Sequence, residues 1–403
     1  MLGPDSNAVE SGIVERIYLD HNATTPLDPR VLEAMLPILR EGFGNPSSIH
    51  WFGQQARAAL DGARAEVARL IGAGPAEIVF TASGTEADNL ALRGVAGMAR
   101  EPRRKVLYAA FEHHAIVNTA KALADEGWPV EAVRVGADGV VDLGDLAARL
   151  DDRTALVCLM RANNETGALQ PVAEAARLAH GHGALVHCDG VQAAGKVPLD
   201  VRELDVDLLA LSAHKIYGPK GVGALYVRRG TRLRPWVRGG SQERNRRSGT
   251  ENVAGIAGFG RAAALAREEL APEAARLGAL RDRLEEGLLA IPGARRNGDG
   301  PRVPNTANVS FEGIEAESLL MALDLMGIAV STGAACAAGA VEPSHVLRAM
   351  ALPADRVQGS LRFSLGRGTT EAHVARAVSA ATQAVETQRR LPRRTPARAG
   401  SAG

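Results

Sequence analysis

The stretch EIVFTASGTEADNLALRGVAGMA, residues 77–99, decides how the chain is read. Residues 77–81 (EIVFT) form a short apolar run that predicts a buried strand. The tripeptide Ser83-Gly84-Thr85 stops it, and a helical pattern takes over from Glu86, with Thr85 as the expected N-cap. Strand-like runs recur at 105–110, 154–160, 184–187, 207–211 and 222–227. Helical patterns lie among them at 54–70 and 172–180. Alternation of this kind predicts an α/β domain around a largely parallel sheet covered on both faces.

The pattern changes after about residue 253. Residues 255–289 are rich in Ala, Arg, Leu and Glu and predict one long helix. A strand (306–311), a helix (315–326), a strand ending near Phe363 and a last helix (371–389) follow, which predicts a smaller α+β domain. A chain of 403 residues exceeds one ordinary core, so two domains are expected. We set the larger at 25–262 and the smaller at 1–24 with 263–390. The Pro/Arg/Gly-rich tail, 391–403, is expected to be disordered.

Bulk properties narrow the function. Apolar residues make up 46% and the formal net charge is +1, so there is no electrostatic case for nucleic acid. No apolar run approaches the roughly 18 residues of a membrane span, and the N-terminus shows no secretory pattern. Three cysteines, Cys158, Cys188 and Cys336, lack metal-ligand spacing, which points to a reducing cytoplasm rather than a disulfide framework. Only five lysines occur, at 105, 121, 196, 215 and 220, so lysine-dependent chemistry has few candidates.

Several short segments carry chemistry. Ser83-Gly84-Thr85 offers backbone N–H groups at a helix start, suited to a phosphate, although the same tripeptide also reads as a plain capping turn. His113 and His114 follow a strand, where open parallel sheets place ligands. NNETG (163–167) reads equally well as a turn. In HCDGVQ (187–192), Asp189 ends an apolar strand. A carboxylate there suits the ring nitrogen of pyridoxal phosphate (PLP), or serves as a helix cap or salt-bridge partner. In LSAHKIYGPKG (211–221), Lys215 follows a buried-looking strand, and burial with nearby cations would ease loss of its proton, as a Schiff-base lysine requires. Cys336 lies among small residues (VSTGAACAAGA, 330–340), which predicts an accessible loop, whereas Cys158 and Cys188 sit in apolar strands and read as structural. Arg362, inside the strand SLRFSLGR (360–367), needs a partner: a substrate carboxylate or an internal acid.

Taken together, these segments resemble the cysteine desulfurases of the NifS/IscS type, in the class-V aminotransferase group. The likeness runs in order over residues 17–390. It is carried by YLDHNATTP (18–26), FGNPSSIH (43–50), 80–89, 163–167, 187–192, 212–221, GGSQERNRRSGTENV (239–253), 331–344 and 361–367. Two small departures are Gly84, where relatives often have alanine, and His114, where some have lysine.

The resemblance implies the PLP-dependent transferase fold of type I and removal of sulfur from L-cysteine, giving L-alanine and a persulfide on Cys336. It implies that Lys215 carries PLP, that Asp189 pairs with the ring nitrogen, that His113 stacks on the ring and moves protons, and that Gln192 meets the ring oxygen. Asn164 would act near that oxygen and the substrate carboxylate, which Arg362 would clamp. Gly84, Thr85, Ser212 and His214 would hold the phosphate, completed by Thr250 from a second subunit, which implies a homodimer. Cys336 would pass sulfur to an acceptor such as an iron–sulfur scaffold and would be a transient iron–sulfur ligand during cluster assembly. A selenocysteine lyase, another class-V lyase or aminotransferase, and a non-catalytic scaffold are the competing expectations.

Overall fold

The computed structural model describes residues 16–333, 336, 337, 340, 341 and 343–390. The expected disordered tail lies outside the described residues. The opening stretch folds nearly as read, with a fully buried strand, Ile78–Thr81, followed by helix Gly84–Ala96. The cap differs. Ser83, not Thr85, is the N-cap, because its extended backbone lets Oγ accept from Glu86 N–H at 3.0 Å. Thr85 is already inside the first turn.

Seven strands form the central sheet, in the order Ile78–Thr81, Gly223–Val227, Leu208–Ser212, Leu185–Asp189, Thr154–Cys158, Lys105–Ala109 and Val130–Val133. Gly223–Val227 runs antiparallel to both neighbours, and the remaining pairs are parallel. The five strands from Ile78–Thr81 to Thr154–Cys158 are buried almost throughout, which is why each reads as a continuous apolar run. Val130–Val133 was not expected. It is a half-exposed edge strand whose sequence, VEAV, has no apolar run to betray it.

The expected long helix over 255–289 is two helices, Val253–Glu268 and Leu270–Leu289. They serve different cores: Ile256, Phe259, Ala262 and Ala263 pack into the core of the central sheet, while Leu277, Leu280, Leu284 and Leu288 pack into a second one. The break falls at Glu269, whose carboxylate takes hydrogen bonds from Arg30 and an ion pair from Arg367. That second core lies on a three-stranded antiparallel sheet, Ser360–Ser364, Thr306–Phe311 and Ala294–Arg296, with helices Ala316–Leu325 and Glu371–Arg390 against it. Strand Ile17–Tyr18 joins it, pairing in parallel with Ile328–Ala329. Val346, Leu347, Met350 and Val357, late in the chain, pack into the first core instead.

Candidate active site

Four neighbouring parallel strands end on one side of the sheet, and the segments leaving them converge. His113 follows Lys105–Ala109, Asn164 follows Thr154–Cys158, Asp189 ends Leu185–Asp189, and Ser212 ends Leu208–Ser212 just before His214 and Lys215. Open parallel sheets place ligands at this edge. The converging residues enclose a cavity of about 400 Å³, lined also by Gly84, Thr85, Gln192 and, from the second core's sheet, Arg362.

Lys215 Nζ donates to the carbonyls of Asn22 at 2.6 Å and Ala23 at 2.7 Å. Burial, helped by the Arg362 guanidinium, brings its amine down to about 8. Asp189 Oδ1 accepts from Val191 N–H at 2.9 Å. Burial pushes its carboxyl above the usual range, against the pull of His113. Two further buried acids stand nearby: Asp88, 2.9 Å from His187 Nε2, and Glu112, which accepts from Met160 N–H. Burial raises both, and Asp189 adds to the effect. Raised carboxyls favour their neutral forms, so a cationic ring nitrogen would find its counter-charge in Asp189, which His113 and Lys215 pull back toward ionisation.

His113 serves as a helix cap and also faces the cavity. Its Nδ1 accepts from Ala115 N–H at 3.1 Å, and burial lowers the imidazole's proton affinity, so the ring is neutral with the proton on Nε2. Arg362 likewise unites two expectations. Nη2 donates to Asp20 Oδ1 at 2.6 Å and Nη1 to the carbonyl of Asn164 at 2.9 Å, while the buried Nε has no partner.

Arg362 Nε, Asn164 Oδ1 and Ser212 Oγ are buried atoms without partners, and all three belong to residues that line the cavity. Buried polar atoms are rarely left unpaired without a reason. Two of these atoms, Arg362 Nε and Ser212 Oγ, can donate and Asn164 Oδ1 can accept, and the same cavity is lined by Gly84 and Thr85 at a helix start, by Lys215 and by the buried Asp189. A phosphorylated pyridine aldehyde fits that set, and so does an amino-acid carboxylate.

Sequence reasoning missed Asn22, which is 2% exposed and ties the site together. Its side chain donates to Thr306 Oγ1 at 2.8 Å and to the Asn164 carbonyl at 3.2 Å. Its Oδ1 accepts from Asn305 at 3.1 Å and from Lys196 at 3.3 Å. Its carbonyl also accepts from Gln192 Nε2 at 2.9 Å, while Lys196 Nζ donates to Gln192 Oε1 at 2.6 Å, so the one free N–H of Gln192 is left for the cavity. The polar run HNATT between Leu19 and Pro26 was the available signal.

Two expected residues stand apart. Thr250 is exposed and is not part of the cavity wall in a single chain. Cys336 falls on a two-residue strand, Cys336–Ala337, paired antiparallel with Ala340–Val341, so its backbone belongs to a small hairpin rather than an irregular loop. Its side chain lies outside the described residues. Cys158 and Cys188 are buried, as expected. Among the described residues, no three His, Cys, Asp or Glu side chains group as a metal site, and no helix is long and apolar enough to cross a membrane.

A parallel sheet with a lysine and a buried aspartate at its ligand edge defines a class, and the comparisons agree: the family profile "Aminotransferase class-V" matches residues 17–376, so the chain belongs to that PLP-dependent family. A solved structure described as a NifS-like protein superposes with a TM-score of 0.87 at 40% identity, covering 92% of this chain and 100% of the other. The cysteine desulfurase of Trichormus azollae is 49% identical over 377 residues, 93% of this chain and 94% of its own. Cysteine desulfurase NifS of Azotobacter vinelandii is 48% identical over 366 residues, 90% of each. Within the class-V family, the chain is a member of the cysteine desulfurase group of the NifS type.

Proposed function

We propose that the protein takes sulfur from L-cysteine, releases L-alanine and leaves the sulfur on Cys336 as a persulfide, using PLP held through the amine of Lys215. The observation that carries this reading is the convergence of Lys215, Asp189, Asn164 and Arg362 on one cavity. PLP, when bound, supplies the electron sink that loosens bonds to the amino-acid α-carbon.

The chain's own residues supply the rest. The unpartnered Arg362 Nε–H would orient the substrate carboxylate, with Asn164 beside it offering its amide N–H rather than its unpaired Oδ1. Lys215, whose amine is made easier to deprotonate by burial, would alternate between taking a proton from the α-carbon and returning one to the product. Asp189 would hold the ring nitrogen protonated, and the free N–H of Gln192 would donate to the ring oxygen. Gly84, Thr85, Ser212 and His214 would hold the phosphate. His113 would offer its Nε2 proton to the reacting group. The Cys336 thiolate attacks the substrate sulfur. A sulfur–sulfur bond forms and the carbon–sulfur bond breaks, with its electron pair leaving to carbon, where a proton completes the methyl group of alanine.

A second copy of the chain would complete the phosphate site with Thr250. Phe43, Ile49, Trp51 and Phe52 form an exposed apolar patch, with Ile49 93% exposed and the Phe43 and Phe52 rings stacked at 5.0 Å. Such a patch is what a homodimer covers. The two cores support two domains near the expected bounds of 25–262 and 1–24 with 263–390, although Ala263, Leu265 and Ala266 still pack into the larger core, as does the segment 346–357. A sulfur acceptor such as an iron–sulfur scaffold would collect the persulfide in a reducing cytoplasm, where Cys336 would also ligate a forming cluster transiently.

The test is to incubate purified, PLP-loaded protein with L-cysteine and reductant and to quantify alanine and sulfide, beside Cys336→Ala. Equal alanine and sulfide, both lost in the variant, is expected. Amino transfer to a 2-oxo acid, or selenide release that survives Cys336→Ala, would replace this reading with one of its relatives.

A further inference from the structure

Glu165 belongs to the NNETG turn, yet none of the roles above uses it. Its side chain is 1% exposed, and the residue lines the cavity beside Asn164. Burying a carboxyl is costly unless something holds it in place. Two contacts do. Ser344 caps helix His345–Ala349: its Oγ accepts from Leu347 N–H at 3.1 Å, so its single proton is free to go to Glu165 Oε2, 2.5 Å away. Gly333 packs so closely that a Cβ there would stand 2.7 Å from the same oxygen, and its φ of +81° also suits glycine alone. Gly333 and Ser344 are the two roots of the segment that carries Cys336.

The same turn meets the substrate side of the cavity. The Asn164 carbonyl accepts from Arg362 Nη1, and the Glu165 carbonyl accepts from Asn308 Nδ2 at 3.1 Å, on the neighbouring strand. Ser331, just before Gly333, exchanges two backbone hydrogen bonds with Arg362, at 2.6 and 3.1 Å. The groups that would orient the carboxylate and the two roots of the Cys336 segment are thus fastened to Asn164 and Glu165, neighbours in one turn.

We propose that Glu165 is a positioning residue for sulfur transfer, fixing both roots of the Cys336 segment relative to Asn164 and Arg362. This rests on the reading that Cys336 receives the sulfur. The carboxyl need not touch substrate. It sets the approach, and an error of about 1 Å in a reacting pair costs on the order of 100-fold.

The experiment compares Glu165→Ala, Glu165→Gln, Ser344→Ala and Gly333→Ala in the PLP-loaded full chain, reading visible absorption, KM and kcat for alanine formation, and amide hydrogen exchange over residues 331–347. Glu165→Ala, Ser344→Ala and Gly333→Ala should keep PLP absorption and hold KM within about twofold, yet lose about 10- to 100-fold in kcat. Exchange at Leu347 N–H should rise in Ser344→Ala. Glu165→Gln, whose amide oxygen can still accept from Ser344, should recover most of kcat. An unchanged kcat, a loss that falls equally on PLP retention, or a glutamine variant no better than alanine would overturn the proposal. Should Glu165→Ala not fold, the Ser344 and Gly333 variants decide it alone. Sulfide that persists in Cys336→Ala would instead sink the functional reading, and the exchange data would still judge the clamp.

Discussion

The floor and the wall of the cavity are built differently. The floor comes from consecutive segments of the central sheet: Asp189 and Ser212 end strands, and His113, Asn164 and Lys215 follow them closely. The wall is drawn from far apart. Asn22 binds Thr306 across 284 residues, and Asp20 binds Arg362 across 342. The floor inherits its position from the parallel sheet, so any chain with this topology brings those strand ends together. The wall exists only once both cores have formed and met, and its hydrogen bonds help to join them. Chemistry therefore concentrates on the floor, and alignment on the wall.

The comparison breaks most visibly on the floor. Lys215→Ala should abolish the visible absorption of covalently held PLP and lower alanine formation by about 1,000-fold or more, measured in single turnovers. The fold should survive, since Lys215 gives up only hydrogen bonds to the Asn22 and Ala23 carbonyls. On the wall the order of damage should invert. Asn22→Ala removes buried hydrogen bonds to Thr306, Asn164, Asn305 and Lys196, and should cost about 2–3 kcal/mol in urea unfolding before any loss of chemistry is counted. A stable Asn22→Ala protein with a purely catalytic defect would erase the distinction.

Titration sharpens it further. In the chain without PLP, burial brings Lys215 from 10.5 to about 8, so between those pH values the unfolded state binds more protons than the folded one. Lys215 should then contribute stability that grows with pH across that window, as should Lys196, which burial also lowers, and the difference in urea midpoint between the wild type and Lys215→Met should widen in the wild type's favour as pH rises. The smallest effect is expected at Gly84→Ala. The new methyl crowds Val191 Cγ2 at 2.9 Å and reaches Ser212 Cβ at 3.4 Å, and a shift of the Val191 side chain should hold the cost under about 1 kcal/mol, with PLP affinity little changed.

The same division explains what could be read without coordinates. Strands such as Leu208–Ser212 announce themselves because both faces are covered, and residues placed at their ends follow. Val130–Val133 stayed hidden because an edge strand with one buried residue has no apolar signature. The break at Glu269 was invisible because both flanking stretches are good helix formers, and what separates them is a change of core. Ser83 took the cap from Thr85 through an extended backbone that residue type alone does not reveal. Asn22 and Glu165 could be quoted within motifs but given no task, because every side-chain partner of Asn22, and Ser344 for Glu165, lies more than 140 residues away.

Two of the three thiols are shut inside the central sheet. Burial, with the Glu112 carboxyl close by, pushes both Cys158 and Cys188 well above the ordinary thiol range. Neither can ionise at neutral pH, and an un-ionised thiol is a poor nucleophile. A scaffold that handles detached sulfur at close quarters is thereby deaf to its own cargo. An alkylating reagent offered to the native chain should count no more than one cysteine, and the stray polysulfide that a second reactive thiol would seed has nowhere in the sheet to start.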